Sequence, residues 1–148
     1  MTLDEFRIKH SLLIEHYQHI EHNLENTYAA LNDNKPFLKG MEDVEKDTIK
    51  RLISRIRSLQ KRKQVVVLTD DECARIEQVC ARRNYWIHEC YIELVFDYGG
   101  GPKKSEDIEM LENDLREAEQ IRNYLFEKKL PYLRKKIQEE LGKPATKW

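Results

Sequence analysis

The chain has 148 residues, of which 40% are hydrophobic and 36% charged, with few glycines and prolines, a composition that suits one helical domain spanning residues 1–148. Its net charge of −1 excludes a general affinity for nucleic acid or anionic membranes, so either would need positive charge concentrated locally. No stretch approaches the roughly 20 apolar residues of a membrane span, and "MTLDEFRIKH" lacks the basic-then-apolar pattern of a secretory signal, which makes the cytoplasm the expected location.

The first predicted helix covers Thr2–Asn32. Its apolar residues recur on one side in steps of three, four or seven (Phe6, Leu13, Tyr17, Ile20, Leu24, Tyr28, Leu31), and Thr2 with Glu5 forms a capping box at its start. "NDNKPFLKG" breaks the pattern. A second helix near Glu42–Lys63 places Ile49, Leu52, Ile53, Ile56 and Leu59 on one side. "VVVL" reads as a connector or a short extended piece, after which Thr69 and Glu72 form a second capping box and open a third helix running to about Phe96.

"DYGGGPKKS", with three of the five glycines, is a stop. A fourth helix begins near Glu106 and carries Ile108, Leu111, Leu115, Ala118, Ile121 and Leu125. Pro131 is expected to kink or interrupt it, leaving a short tail helix with Leu133, Ile137 and Leu141 and a frayed end over residues 142–148. The fold class expected is all-α: an antiparallel four-helix bundle with an additional short C-terminal helix. Cys73, Cys80 and Cys90 share the third helix, about 10 Å or more apart along its axis, too far for a disulfide.

On that third helix the buried seam runs Cys73, Ile76, Cys80, Arg83, Ile87, Cys90, Leu94. A guanidinium in an apolar stripe must face a partner charge, a subunit cleft or a ligand, because burying it unpaired costs several kcal/mol. Asn84 and His88 are i, i+4 neighbours on one edge, close enough for the amide to hydrogen-bond the imidazole. Arg83 and His88 flank the strip holding Ile87 and Tyr91. They converge on one ligand only if it lies in a groove across this face, and a two-fold-related copy would supply the other wall.

The run "RNYWIH" resembles the R-N-x-x-x-H motif of HEPN domains, small helical bundles of bacterial toxin–antitoxin and abortive-infection systems and of CRISPR nucleases. The resemblance rests on those six residues and the all-helical layout. It implies that Arg83, Asn84 and His88 form the active site of a homodimeric endoribonuclease needing no metal or cofactor. Such a protein would serve as a toxin or defence effector, with RNA as substrate and an antitoxin encoded nearby as partner. The chemistry suits the side chains: His88 moves protons near neutral pH, and Arg83 stabilises extra negative charge on phosphorus. Toxins of this kind often carry a tyrosine two places after the histidine as an antitoxin's modification site. Here that position is Cys90, and the nearest candidate is Tyr91.

Further along, "KRLISRIRSLQKRK" (Lys50–Lys63) holds seven positive residues and no acid, and Arg51, Arg55, Lys61 and Arg62 are candidates to follow an RNA backbone. His10, His16, His19 and His22 crowd the first helix without metal-ligand spacing. They read as solvated, except that His10 falls in the seam and is a candidate for an internal hydrogen bond. The alternative to a nuclease is a non-catalytic bundle that binds RNA, a nucleotide or a partner protein.

Overall fold

A computed structural model of the chain describes residues 1–96 and 100–142. The first three residues of the "DYGGGPKKS" stop and the tail after Gly142 lie outside that range. The described residues form an all-α bundle of α1 (Leu3–Leu31), α2 (Phe37–Val44), α3 (Ile49–Lys63), α4 (Asp70–Val79), two π-helical turns (Tyr85–Glu89 and Ile92–Phe96) and α5 (Ser105–Leu141). No helix among them is long and apolar enough to cross a membrane.

Both capping boxes form. The Thr2 hydroxyl accepts from Glu5 N at 3.1 Å while the Glu5 carboxylate accepts from Thr2 N, and Thr69 with Glu72 repeats the arrangement at 3.2 and 2.8 Å. The expected second helix is two helices. Thr48 accepts from Arg51 N at 3.2 Å and so opens α3 as a fresh helix, while α2 ends four residues earlier at Val44.

That extra break changes the topology. Lys9 meets Glu112, Arg122 meets His16, and Lys136 meets Asn32, so α1 and α5 run parallel. Gly40 of α2 lies on Ala29 and Lys63 of α3 on Leu31, whereas Arg57 pairs with Asp70 and Arg75 with Glu117. Successive passes are therefore antiparallel, as expected, but they number five (α1, α2, α3, α4 with the π turns, α5), and an odd number leaves the first and last parallel.

The core is the stripe the spacing marked out on α1, from Phe6 through Leu13, Tyr17, Ile20 and Leu24 to Leu31, with Leu52, Ile53 and Ile56 of α3 and Leu111, Ala118 and Leu125 of α5. Two close contacts form at glycines, tight at Gly40 and closed to any side chain without a backbone shift at Gly101. A methyl on Gly40 would lie 3.1 Å from Ala29 Cα, and one on Gly101 would lie 2.5 Å from the Thr2 carbonyl oxygen.

Pro131 does not end the fourth helix, which continues as α5 to Leu141; the expected short C-terminal helix is its last third. Pro131 removes the donor to the Glu127 carbonyl, but both residues face solvent, where water replaces it. Beyond the proline, buried Lys136 donates to the carbonyls of Asn32 at 2.8 Å and Lys35 at 2.9 Å, capping the C-terminus of α1 and tying the two helices together. Gly142 then closes α5 with φ +63°. The "VVVL" connector is held by one side chain: Gln60 Oε1 accepts from Val67 N and Leu68 N while its Nε2 donates to Leu68 O.

Candidate functional site

The expected third helix stops at Val79. Ala81 N turns back to Gln78 O and Arg83 N to Cys80 O, a tightened turn that ends α4 before the motif begins. What fixes the turn is Asp114 of α5, a carboxylate with 3% side-chain exposure. It accepts from Arg82 Nε at 2.7 Å, from Arg82 Nη2 at 2.5 Å and from the indole Nε1 of Trp86 at 2.7 Å. Burying Trp86 completely, with its N–H satisfied, decides the register of the first π turn, in which it lies, and of the one that follows.

After Trp86 the chain winds in the wider i→i+5 turn. Cys90 N donates to Tyr85 O instead of Trp86 O, and the freed Trp86 carbonyl accepts from His10 Nε2 at 2.6 Å and from Cys90 Sγ at 3.1 Å. The expected internal hydrogen bond of His10 thus exists, and this carbonyl must accept, so Nε2 carries the proton. Buried positions now step Trp86, Cys90, Leu94, in fours, rather than Arg83, Ile87, Cys90, Leu94. Ile87 is 36% exposed and Arg83 falls to the edge of the seam. All three cysteines are free and buried, and burial pushes the Cys80 thiol up to about 12 and Cys90 up to about 11, which leaves both inert near neutral pH.

Arg83 meets a partner charge from its own chain. Its Nε lies against the carboxylate of Glu21 on α1, and its Nη1 donates to Asn84 Oδ1 at 3.5 Å. Burial holds the Glu21 carboxyl above the usual carboxylate range, and Arg83 opposes that shift. Arg83 and Asn84 line a cleft of about 650 Å³ between α1, the α2–α3 turn and α4, together with Glu21, Asp47, Lys50 and Glu77. His88 is not among the lining residues of that cleft. It is exposed on the following π turn, and no hydrogen bond joins it to Asn84 among the described residues. One chain therefore brings Arg83 and Asn84 together in a cleft that His88 does not line.

Tyr91 is packed against α1, edge-on to Phe6 with centroids 5.2 Å apart and to His10 at 5.1 Å, and is 37% exposed. Four of the seven basic residues on α3 are ion-paired, to three carboxylates. Arg51 and Arg55 both contact Asp47, at 3.2 and 2.8 Å, while Arg57 pairs with Asp70 and Lys63 with Asp33. Lys61 and Arg62 are exposed with no ion pair among the described residues. Lys61 lines a second open cleft, of about 910 Å³, between α3 and α4; Lys50 and Glu77 line both clefts, so the basic side of α3 borders the cleft of Arg83.

Sequence reasoning missed Asp114, Glu21 and the burial of His16. Asp114 carried a readable signal, an acid three residues after Leu111 and four before Ala118 in the apolar stripe of α5. His16, expected in solvent, is 7% exposed and accepts from Arg122 Nη1 at 3.1 Å through Nδ1. Comparison of the chain with protein-family models, with curated proteins and with solved structures gives no match.

Proposed function

We propose that the protein is a metal-independent endoribonuclease of HEPN type that works as a homodimer in the cytoplasm, as a toxin or defence effector, with an antitoxin encoded nearby as partner. The observation that carries this reading is the continuity of the two clefts: Arg83 and Asn84 stand at one end, and Lys50 and Lys61 continue the line along α3. A single strand lying there would meet cations in sequence, and the exposed His88 would be free to move protons. Because one chain holds His88 outside the Arg83 cleft, the catalytic pair is completed across a two-fold axis, with exposed Ile87, Tyr91 and Ile92 as the apolar contact beside it.

In the proposed reaction the ribose 2′-oxygen bonds to the adjacent phosphorus and its proton passes to His88. The bond from phosphorus to the 5′-oxygen breaks, and that oxygen takes a proton from solvent as it leaves, while His88 afterwards returns its own proton to solvent. Arg83 stabilises the charge on the pentacovalent phosphorus. The products are a 2′,3′-cyclic phosphate and a 5′-hydroxyl. Wild-type protein should cleave RNA in EDTA and leave cyclic-phosphate ends, while His88→Ala should lose the activity by a hundredfold or more, on the order of a general acid–base contribution. Equal cleavage by both would overturn the proposal.

A second reading, a binding module without catalysis, is favoured by the carboxylates around Arg83. Glu21, Asp47 and Glu77 line the same cleft and oppose a phosphate there. RNA bound but uncut by the wild type, with binding weakened in Arg83→Ala, would select it.

A further inference from the structure

The contact between Glu21 and Arg83 bears on how the cleft would take RNA, so its meaning rests on the proposed RNA-cleaving role. Glu21 reaches Arg83 from α1, a different element of the fold, and both side chains are partly withdrawn from water at 24% and 30% exposure. The guanidinium is a five-donor fork. Glu21 occupies its Nε edge, and Asn84 takes one Nη1 hydrogen. A carboxylate and a phosphate oxygen make the same kind of contact with that edge, so both cannot hold it at once without bringing two anions together. We propose that Glu21 is an internal substitute for the RNA phosphate: it holds Arg83 in the free protein and is displaced when a strand enters the cleft.

The surroundings favour displacement over sharing. Glu25, one turn along α1, is held above the usual carboxylate range by its own burial and then by Glu21, Glu45 and Asp47. A phosphate arriving beside an undisplaced Glu21 would meet that accumulated negative charge. Displacement also costs little structurally, since Glu21 has no ion pair or hydrogen bond with a described residue other than its contact with Arg83, and it borders the open cleft. Glu21 therefore sets the affinity of the site for an RNA backbone, and one arginine is withheld from the electrostatics of the free protein.

The test uses a short 2′-O-methyl oligouridylate, which binds as RNA but lacks the attacking hydroxyl, and measures affinity against salt by fluorescence anisotropy. Glu21→Gln frees one cation in the ground state. It should bind about two- to fivefold more tightly at low salt, with a slope of log K against log[salt] steeper by about 0.7, the increment for one more phosphate contact on a single strand. The gain should vanish in the Glu21→Gln/Arg83→Ala double variant. Unchanged or weaker binding by Glu21→Gln, with Arg83→Ala weaker than wild type, would make Glu21 a positioning residue and overturn the inference while leaving the RNA reading intact. No binding by the wild type or by Glu21→Gln would overturn both. If Glu21→Gln does not fold, the Arg83 Nε–H resonance of the wild type, assigned through Arg83→Lys, gives the answer instead. A shift on adding the oligonucleotide supports displacement, and a resonance that stays in place overturns it.

Discussion

Removing either member of the Arg82–Asp114 pair should have unequal effects, and the order follows from exposure. Asp114 has 3% side-chain exposure and Arg82 has 47%. In Arg82→Ala the carboxylate keeps only the Trp86 indole as a donor and stays buried with its charge uncompensated. Breaking a buried pair in this way costs about 3–5 kcal/mol, and the half-exposed arginine puts the expectation at the lower end, about 3 kcal/mol. In Asp114→Asn the amide oxygen still accepts from Trp86 Nε1, and the Arg82 head turns into water. Both Arg82 bonds are lost, but the half-exposed guanidinium regains water, so the loss is near the lower end for a hydrogen bond to a charged group, about 1.5–2 kcal/mol. For a chain of this size each kcal/mol shifts Tm by roughly 2–4 °C, so losses of about 6–12 °C and about 3–8 °C are expected. Urea unfolding followed by Trp86 fluorescence in a Trp148→Phe background measures both, with far-UV dichroism as the check on two-state behaviour. If Asp114→Asn costs as much as Arg82→Ala or more, the buried carboxylate does not need its cation, and the account of why the chain turns at Arg82 is wrong.

Two further expectations concern stability. His16 has its pKa lowered from 6.5 by burial first and by Arg122 second, so the folded state disfavours the protonated ring. The associated stability is complete above about pH 6.5 and is lost as pH falls below it; the urea midpoint should drop over that window and should do so less in His16→Gln, while identical profiles would remove His16 as the cause. His22 is lowered in the same direction and should keep part of the slope in the variant. Gln64 ends α3 with φ 56°, a left-handed conformation that glycine adopts without the Cβ penalty, so Gln64→Gly should raise stability by about 0.5–1 kcal/mol. A lower thermal midpoint in that variant would show that the Gln64 side chain contributes more than its backbone costs.

The parts of this fold that sequence spacing reveals are those where the buried residue and the helical period agree. On α1 and α3 the apolar steps of three and four mark stripes that are buried in full, because nothing polar competes for those positions. From Cys80 onward a regular pattern is also present, but it is the wrong one. Cys80, Arg83, Ile87, Cys90 and Leu94 fit an α-helical seam, and the chain instead follows Trp86, Cys90 and Leu94 through a π turn. The deciding contact is the Trp86 indole on Asp114, from another helix, together with His10 of α1 on the Trp86 carbonyl. Periodicity within one segment cannot contain either partner. The same limit governs the site. An arginine in an apolar stripe announces a partner charge, a subunit cleft or a ligand, and only the packing of α1 beside the motif shows a partner charge there, Glu21. Asp114 announced one equally, and pairing the two misplaced charges with each other would have been the natural error: it is the neighbouring Arg82 that takes Asp114. Two adjacent arginines are thus given different duties by their surroundings. Arg82 fixes the turn against α5, and because that turn is fixed, Arg83 is held at the mouth of the cleft, where its only described anionic partner is Glu21, reached from α1.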